Sequence, residues 1–280
     1  MQNNLELRIE SPQNKTIKSF VELNSRKGRK QTGHFLADGI RIVREALNAK
    51  NSYVHNILIS EELETSDSIR KIVDLCIQKR IRIYYVPRQL MKKVSRSETT
   101  QGVVAEVSMK KELSISDADF SGLSILAHGI QDPRNMGLLI RTAEAAGVSA
   151  FFAPPGSTDP FNPTAVQTSM GAVFHHPIIA GEDSSLVIET AREEGAQIVG
   201  TSVSGGLPVT QWMENPPEKL MLVMGNEGTG LDYEITKQLD LMITLPMWGK
   251  TESLNVAVSS GIILYLARFA GMEKQDKEGV

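Results

Sequence analysis

Short apolar runs alternate with amphipathic segments throughout the second half of the sequence, and this alternation restricts the fold more than any other feature. Strand-like runs lie at 123–128, 148–153, 196–203, 219–225 and 240–247. Segments with helical spacing of apolar residues lie at 136–147, 184–195, 232–239 and 254–270. Strands that alternate with helices form a mostly parallel sheet covered on both faces, and such sheets bind ligands at the carboxyl ends of their strands. The second half is therefore predicted to be an α/β domain with its site at that edge.

The first half predicts a smaller α/β domain of its own. Helical spacing covers 35–49 and 66–79, and strand-like runs lie at 54–60, 81–86 and 102–107. A polar stretch with few large apolar residues separates the two halves. We predict the following division: a first domain at 1–110, a linker at 111–120, a second domain at 121–272 and a tail at 273–280.

Charge divides the chain in the same place. Residues 1–110 contain 20 Lys and Arg against 12 Asp and Glu, a net charge of +8, whereas residues 111–280 contain 10 against 21, a net charge of −11. The densest basic cluster comprises Arg26, Lys27, Arg29 and Lys30. Such a cluster binds a polyanion such as nucleic acid through phosphate contacts. The alternative is a solvated basic surface.

The remaining composition is typical of a soluble globular protein in a reducing compartment. Of the 280 residues, 41% are hydrophobic and 22% are charged, and Cys76 is the one cysteine, which excludes an internal disulfide. The apolar neighbours of Cys76 predict that it is buried in helix packing. The N-terminus lacks a signal-peptide pattern, and no apolar run approaches the roughly 20 residues that span a bilayer. We expect a cytoplasmic protein with no membrane partner.

A glycine-rich loop, "MGNEGTG" at 224–230, follows a predicted strand and so lies at the expected ligand-binding edge. Its pattern does not suit a phosphate: no Lys–Ser/Thr pair follows the last glycine, and the order is G-x-x-G-x-G, not the dinucleotide order G-x-G-x-x-G. Glu227 would repel a phosphate but suits a ligand with positive charge or hydroxyl donors. The alternative is a tight turn in which glycines only supply positive φ.

Two further segments place polar side chains at the ends of predicted strands. In "QDPRNMGLLIRTAEAAG", Asn135 and Arg141 are six residues apart, so they can face one pocket, although Arg141 can also be a rim residue of an amphipathic helix. In "LPMWGKTESLNVAVSSGI", Ser253 and Asn255 precede a long helix. Ser253 is a candidate N-cap, and Asn255 suits this position if its amide binds another group.

In this order and at these spacings, the three segments resemble the three signature motifs of the SPOUT methyltransferase superfamily, in its SpoU or TrmH-type branch. The resemblance covers essentially all of residues 120–270, and the set of motifs is highly specific. The first half resembles the N-terminal substrate-binding domain of such enzymes, a ribosomal-protein-like RNA-binding fold. The stretch "RKGRKQTGHFLADGIRIVREAL" carries this second resemblance.

The resemblance implies transfer of a methyl group from S-adenosyl-L-methionine to a ribose 2′-hydroxyl of RNA. It implies a parallel sheet whose C-terminal part, 225–268 here, is threaded into a deep trefoil knot. It also implies a homodimer packed through that domain, with sites near the interface. The residues that match the cofactor-binding positions are Met224, Gly225, Asn226, Gly228, Leu245, Met247, Ser253 and Leu254.

The resemblance assigns the chemistry to Arg141, Asn135, Glu227, Ser253 and Asn255. Arg141 matches the residue that activates or orients the 2′-hydroxyl. Because arginine is effectively always protonated, contact with an RNA phosphate and with a developing alkoxide suits it better than the role of a free base. The other four match residues that position the ribose and shape the site.

Three positions need separate interpretation. Arg134 stands where many relatives have glycine, and it is a candidate contact for RNA phosphate. Trp248 is a candidate for stacking on a base or for capping the adenine pocket. Adjacent His175 and His176 would point to opposite faces of a strand, and no cysteine lies nearby, so no metal site is predicted.

The leading prediction for the substrate is 23S ribosomal RNA, since smaller single-domain relatives more often act on transfer RNA. A transfer RNA substrate is one alternative, and a non-catalytic RNA-binding or ribosome-assembly protein is another. The intact set of polar motif residues argues against a vestigial site. A nicotinamide-dependent oxidoreductase is disfavoured by the glycine order and by the missing acidic residue for the cofactor ribose.

Overall fold

The computed structural model describes residues 5–95 and 100–278, with side chains to residue 270. The strands are β1 (Glu6–Arg8), β2 (His34–Asp38), β3 (Ser52–Ser60), β4 (Arg82–Val86), β5 (Val103–Met109), β6 (Leu123–Ala127), β7 (Ala150–Ala153), β8 (Ile178–Ala180), β9 (Gln197–Thr201), β10 (Leu207–Pro208), β11 (Leu220–Met224) and β12 (Leu241–Thr244). The α-helices are α1 (Lys15–Glu22), α2 (Arg26–Thr32), α3 (Ile40–Asn48), α4 (Asp67–Lys79), α5 (Arg88–Val94), α6 (Pro133–Ala145), α7 (Pro163–Thr168), α8 (Ser184–Glu193), α9 (Val209–Trp212), α10 (Tyr233–Thr236) and α11 (Val256–Glu278). Short 3₁₀ helices lie at Glu61–Leu63, Ile115–Asp117 and Ala172–Phe174.

The chain forms two compact units. Unit 1 comprises Met1–Glu112 and Phe161–His175, and unit 2 comprises Leu113–Pro160 and His176–Val280. Within the described residues, no helix is both long enough and apolar enough to cross a membrane.

Unit 1 is built on a five-stranded mixed sheet with the strand order β1-β4-β3-β5-β2. Strands β1, β3 and β4 run parallel to one another, and β5 is antiparallel to both β2 and β3. Leu36, Leu58 and Val104 from three adjacent strands share an apolar cluster with Phe20 of α1 and Leu90 of α5. On α4, Cys76 is buried as predicted, and burial raises the pKa of its thiol to about 12.

The prediction of one helix over 35–49 is wrong in its first part. Residues His34–Asp38 form β2, which pairs with β5, and only Ile40–Asn48 form a helix. Gly39 separates the two elements with a φ of 105°, which a helix cannot contain. Phe35, Leu36 and Ala37 are consecutive and all buried, as in a strand covered on both faces.

Unit 2 contains a seven-stranded sheet with the order β10-β12-β9-β11-β6-β7-β8, and every strand pair in it is parallel. The five strands and four helices predicted from the second half are all present. Strands β6, β7 and β11 are buried along their whole length, which explains why their sequences are apolar except for Ser124 of β6. The short elements β8, β10 and α9 were too brief to leave a periodic signal.

The segment predicted as a linker, 111–120, is largely part of unit 2. Leu113 forms a parallel bridge to Ile179, and Phe120 is buried against Phe152. The segment predicted as a tail, 273–280, is entered by α11, which continues to Glu278.

The segment Phe161–His175 lies within the predicted second domain, 121–272, yet it groups with unit 1. Its helix α7 packs on β2. The rings of Phe161 and Phe174 lie 4.8 and 6.1 Å from the ring of Phe35, measured between centroids. Aromatic burial therefore attaches this segment to unit 1.

Candidate active site

A cleft of about 650 Å³ lies at the carboxyl ends of β9, β11 and β12 in unit 2. Its walls are formed by the residues that follow these strands and by the first turns of α11. Both its size and its position are typical of ligand sites in parallel α/β sheets.

All eight residues predicted from the resemblance to bind a cofactor line this cleft: Met224, Gly225, Asn226, Gly228, Leu245, Met247, Ser253 and Leu254. Thr201, Ser202 and Val203 at the end of β9 form a further wall that was not predicted from the sequence. The sequence did predict β9 as a strand. It did not predict that β9 lies beside β11, because that depends on the strand order of the sheet. Glu252 in the loop before α11 was also missed.

The glycine loop is closed by hydrogen bonds within itself. The backbone N–H of Asn226 donates to the carbonyl of Gly230 (3.0 Å), and the N–H of Gly230 donates back to the carbonyl of Asn226 (2.9 Å). The Asn226 side-chain oxygen accepts from the N–H groups of Gly228 (2.8 Å) and Thr229 (3.1 Å). These amides are therefore satisfied internally and do not form a cradle for phosphate.

Gly225 is the glycine that the loop geometry requires most. A Cβ atom at this position would lie 2.5 Å from the carbonyl carbon of Gly230 and 2.6 Å from the backbone nitrogen of Leu231. Gly230 adopts a φ of 71°, in the left-handed region. The tight-turn interpretation, in which a glycine supplies positive φ, is thus correct for Gly230, whereas Gly225 is required by the close approach of the backbone. Both glycines also line the cleft.

Glu227, Asn135 and Asn255 form one hydrogen-bonded chain across the three motif segments. The Asn135 Nδ2 donates to Glu227 Oε1 at 2.9 Å, and the Asn255 Nδ2 donates to Asn135 Oδ1 at 2.8 Å. The Asn255 Oδ1 accepts from the N–H of Ala257 at 2.9 Å. Asn255, not Ser253, therefore caps α11, and its amide has the partner that the sequence analysis required.

The Glu227 carboxylate also accepts hydrogen bonds from backbone. The N–H groups of Gln131 and Asp132 each donate to it at 3.3 Å. Partial burial raises the pKa of Glu227, but the hydrogen bonds from Asn135 and from the backbone outweigh burial and hold the pKa below its ordinary value. Glu227 is therefore an anion at neutral pH.

The lining of the cleft is acidic and apolar. Glu227 and Glu252 are its two carboxylates, and the lining residues that the structure describes include no lysine, arginine or histidine. Leu231, Leu245 and Met247 supply apolar surface. Such a lining suits a ligand with positive charge, hydroxyl groups and an apolar ring, and it disfavours a phosphorylated dinucleotide.

Comparison with known proteins agrees with this geometry. A model of the SpoU rRNA methylase family matches residues 122–265, and a model of the MRM3-like substrate binding domain matches residues 14–105. The chain belongs to the SpoU rRNA methylase family.

Three known proteins illustrate the similarity. RlmP of Bacillus subtilis (strain 168), a 23S rRNA (guanosine(2553)-2′-O)-methyltransferase, is 32% identical over 260 residues, or 93% of this chain and 98% of that protein. An AdoMet-bound rRNA methyltransferase from Sinorhizobium meliloti is 25% identical with a TM-score of 0.79, over 95% of this chain and 98% of that one. AviRb from Streptomyces viridochromogenes in complex with AdoMet is 26% identical with a TM-score of 0.77, over 91% and 97%.

Arg141 stands apart from the other motif residues of this SpoU-family site. It is exposed on α6 and does not line the cleft. Its six-residue separation from Asn135 turns the two side chains about 120° apart around the helix axis, which is why one cleft does not receive both. Within the described residues, the Arg141 guanidinium has no hydrogen-bond or ion-pair partner.

Among the predicted RNA-binding residues, Arg29 is contradicted by the structure. It is only 6% exposed, and its guanidinium donates to the carbonyl of Leu23 at 2.9 Å, so it holds α2 in place instead of facing a ligand. Arg26, Lys27 and Lys30 are exposed on α2. Arg134 is exposed at the start of α6, where it is paired with Asp132 at 2.9 Å.

Trp248 and the two adjacent histidines differ in part from their predicted settings. Trp248 is 92% exposed and does not line the cleft, so it does not cap it. His175 ends a 3₁₀ helix and is not in a strand. His176 is buried, which lowers its pKa to about 4. In the part of the chain that the structure describes, no group of three or more His, Cys, Asp and Glu side chains could hold a metal ion.

Proposed function

We propose that this protein transfers the methyl group of S-adenosyl-L-methionine to a ribose 2′-hydroxyl of 23S ribosomal RNA. The observation that carries the proposal is the hydrogen-bonded chain Glu227–Asn135–Asn255 at a cleft whose described lining residues include no cationic side chain. The cofactor has a sulfonium cation, ribose hydroxyls and an adenine ring, and it has no phosphate. The cleft has matching chemistry, and two of the related structures contain AdoMet.

When bound, S-adenosyl-L-methionine supplies an electrophilic methyl carbon that the ribose oxygen can attack. The apolar side chains of Leu245, Met247 and Leu254 would contact the adenine and exclude water. The backbone at Met224 and Gly225 would approach the adenosine closely, since Gly225 has no side chain. Ser253 and Asn255 lie just before the N-terminus of α11, where their polar groups would orient a ribose.

Arg141 would act on the RNA rather than on the cofactor. Its exposed guanidinium is available for the phosphate next to the target nucleotide and for the oxygen that loses its proton. Because an arginine side chain is effectively always protonated, Arg141 would stabilise the developing alkoxide, and the proton would leave to solvent or to phosphate.

The proposed substrate rests on both units. The SpoU model matches residues 122–265, most of which belong to unit 2, and the model of a substrate-binding domain matches residues 14–105 of unit 1. RlmP, which covers nearly the same length, is named for a guanosine of 23S rRNA, so a guanosine of that RNA is the first target to examine. We place this activity in the cytoplasm, where ribosomal RNA is available, and recovery of the protein with cytoplasmic ribosomal particles would test that placement.

We propose that 225–268 is threaded as a trefoil knot, on the strength of the SpoU family membership and the wholly parallel sheet of unit 2. A crystal structure with continuous density through this segment would test the knot.

We propose a homodimer formed through α11. Val258, Ile262, Tyr265 and Phe269 recur every three or four residues and are all exposed, which makes one apolar stripe along the helix. The Tyr265 hydroxyl donates to the carbonyl of Ala145, one helical turn from Arg141, so Arg141 lies next to the stripe. A second copy covering the stripe would bring its own groups to that side of the site.

Ile262→Glu is expected to convert the dimer to a monomer, because a buried unpaired carboxylate is costly at an interface. Sedimentation equilibrium measures the change. The control is Leu186→Glu, which changes an equally exposed leucine on α8 and should leave the dimer intact. A monomeric wild type would contradict the dimer.

Labelled methyl transfer is the direct test of the proposed activity. Unmodified 23S rRNA is expected to incorporate label from S-adenosyl-L-methionine at one nucleotide, with an alkali-resistant 2′-O-methyl linkage, and total tRNA is expected to remain unlabelled. Label in tRNA would keep the enzyme and refute the substrate. Cofactor binding without transfer to either RNA would refute the catalytic role.

A further inference from the structure

Three aromatic rings form a continuous group on the sheet of unit 1. We call Tyr53, His55 and His34 the ring cluster. The His34 and His55 rings are stacked, with centroids 3.9 Å apart and planes 20° apart, and the Tyr53 ring meets His55 edge-on at 4.7 Å. Tyr53 is 57% exposed, so the cluster presents one open aromatic ring to solvent.

Polar groups beneath the rings hold them in place. The Glu106 carboxylate is buried; His34 Nδ1 lies 2.7 Å from Oε1, and the Asn56 Nδ2 donates to Oε2 at 2.7 Å. His55 Nε2 lies 2.8 Å from the hydroxyl of Ser108. Burial and the neighbouring His34 lower the pKa of His55, which keeps its ring neutral at physiological pH. The rings are therefore ordered before any ligand arrives.

Exposed basic residues belong to two segments that are hydrogen-bonded close to the ring cluster along the chain. Helix α2, with exposed Arg26, Lys27 and Lys30, ends at Thr32, and its C-cap Gly33 immediately precedes His34. The N–H of His34 donates to the Thr32 hydroxyl at 3.1 Å. In the second segment, exposed Lys110 donates its backbone N–H to the carbonyl of Asn51, two residues before Tyr53. Aromatic faces next to basic groups are the combination that binds unpaired nucleotides.

We propose that the ring cluster is a stacking site for an unpaired nucleotide of RNA, with Tyr53 receiving the base and the residues of α2 and Lys110 contacting adjacent phosphates. This proposal rests on the proposed function and extends it. It names the side chains that would hold the RNA while the catalytic cleft modifies it. Glu106, Asn56 and Ser108 are positioning residues that fix the rings.

Tyr53→Ala is expected to weaken RNA binding about tenfold, the effect of losing one base–aromatic stack. Binding is measured by filter retention with unmodified 23S rRNA and with an oligouridylate of about 20 nucleotides, longer than a single-domain site. The dependence of log K on log salt should keep the wild-type slope in Tyr53→Ala. In Lys27→Ala the slope should fall by about one, because one phosphate contact is lost.

Two further variants separate stacking from other effects. Tyr53→Phe keeps the aromatic face and is expected to bind within about twofold of wild type. Tyr233→Ala removes a tyrosine that is 71% exposed in unit 2 and should bind as wild type does. Wild-type affinity in Tyr53→Ala, an equal loss in Tyr53→Phe, or an equal loss in Tyr233→Ala would overturn the proposal.

Methyl transfer separates this proposal from the proposed function. With an active enzyme, Tyr53→Ala should raise the KM for RNA and leave kcat unchanged. If the wild type transfers no methyl group but Tyr53→Ala still weakens RNA binding, the proposed function fails and the stacking site stands. If transfer occurs and Tyr53→Ala has the wild-type KM, the stacking site fails alone.

Discussion

Arg141→Ala is expected to reduce kcat for RNA methylation at least about a hundredfold, while the Kd for S-adenosyl-L-methionine stays at its wild-type value. The substitution should affect kcat and not the Kd for the cofactor, because Arg141 is exposed on α6 and lies outside the cleft that would hold the cofactor. Single-turnover methylation at saturating RNA measures the first quantity, and calorimetric titration of the cofactor measures the second. Arg141→Lys should restore only part of the rate, since lysine lacks the planar fork that binds phosphate at two points.

Glu144→Ala is the matched control for Arg141→Ala, because Glu144 is exposed three residues further along α6. It should methylate RNA at the wild-type rate. Normal turnover in Arg141→Ala would refute the role of Arg141. Loss of cofactor binding in that variant would show instead that Arg141 supports the cleft.

The sequence was sufficient for most of the cleft, because strand ends are fixed by the pattern of apolar runs. Once β11 and β12 are predicted, Gly225 and Leu245 must lie at the carboxyl edge of the sheet. The wall at Thr201 could not be assigned in this way. It depends on β9 lying between β11 and β12, and strand order is set by long-range pairing that local periodicity does not encode.

The errors came from places where local pattern and tertiary structure compete. Residues 35–49 have helical spacing, but Gly39 breaks the segment and Phe35 is buried against other aromatic rings of unit 1. Arg29 has the same charge as its neighbours, yet it faces the carbonyl of Leu23. A charge count cannot tell which arginine of a cluster turns inward, because that choice depends on the carbonyl that needs a donor.

Gly225 and Gly228 lie in the same glycine loop, but close backbone contacts exclude a side chain only at Gly225. Substitution of each glycine by alanine measures the consequence of this difference. Gly225→Ala is expected to lower the free energy of unfolding by about 1–3 kcal/mol and to weaken binding of S-adenosyl-L-methionine at least about tenfold. The reason is steric: the new Cβ would meet backbone atoms of Gly230 and Leu231 at 2.5–2.8 Å, so the wall of the cleft must move. Thermal unfolding and calorimetric titration measure the two effects.

Gly228→Ala is the matched control in the same loop. Its Cβ would meet only the Asn226 side-chain oxygen, at 3.6 Å, and the Gly228 N–H would still donate to that oxygen. We expect its stability to stay within about 0.5 kcal/mol of wild type and its cofactor affinity to be nearly unchanged. Equal losses in both variants would mean that the cofactor needs open space along the entire loop. Wild-type affinity in Gly225→Ala would mean that the loop can shift without changing the cleft, and the close approach at Gly225 would then have no part in binding.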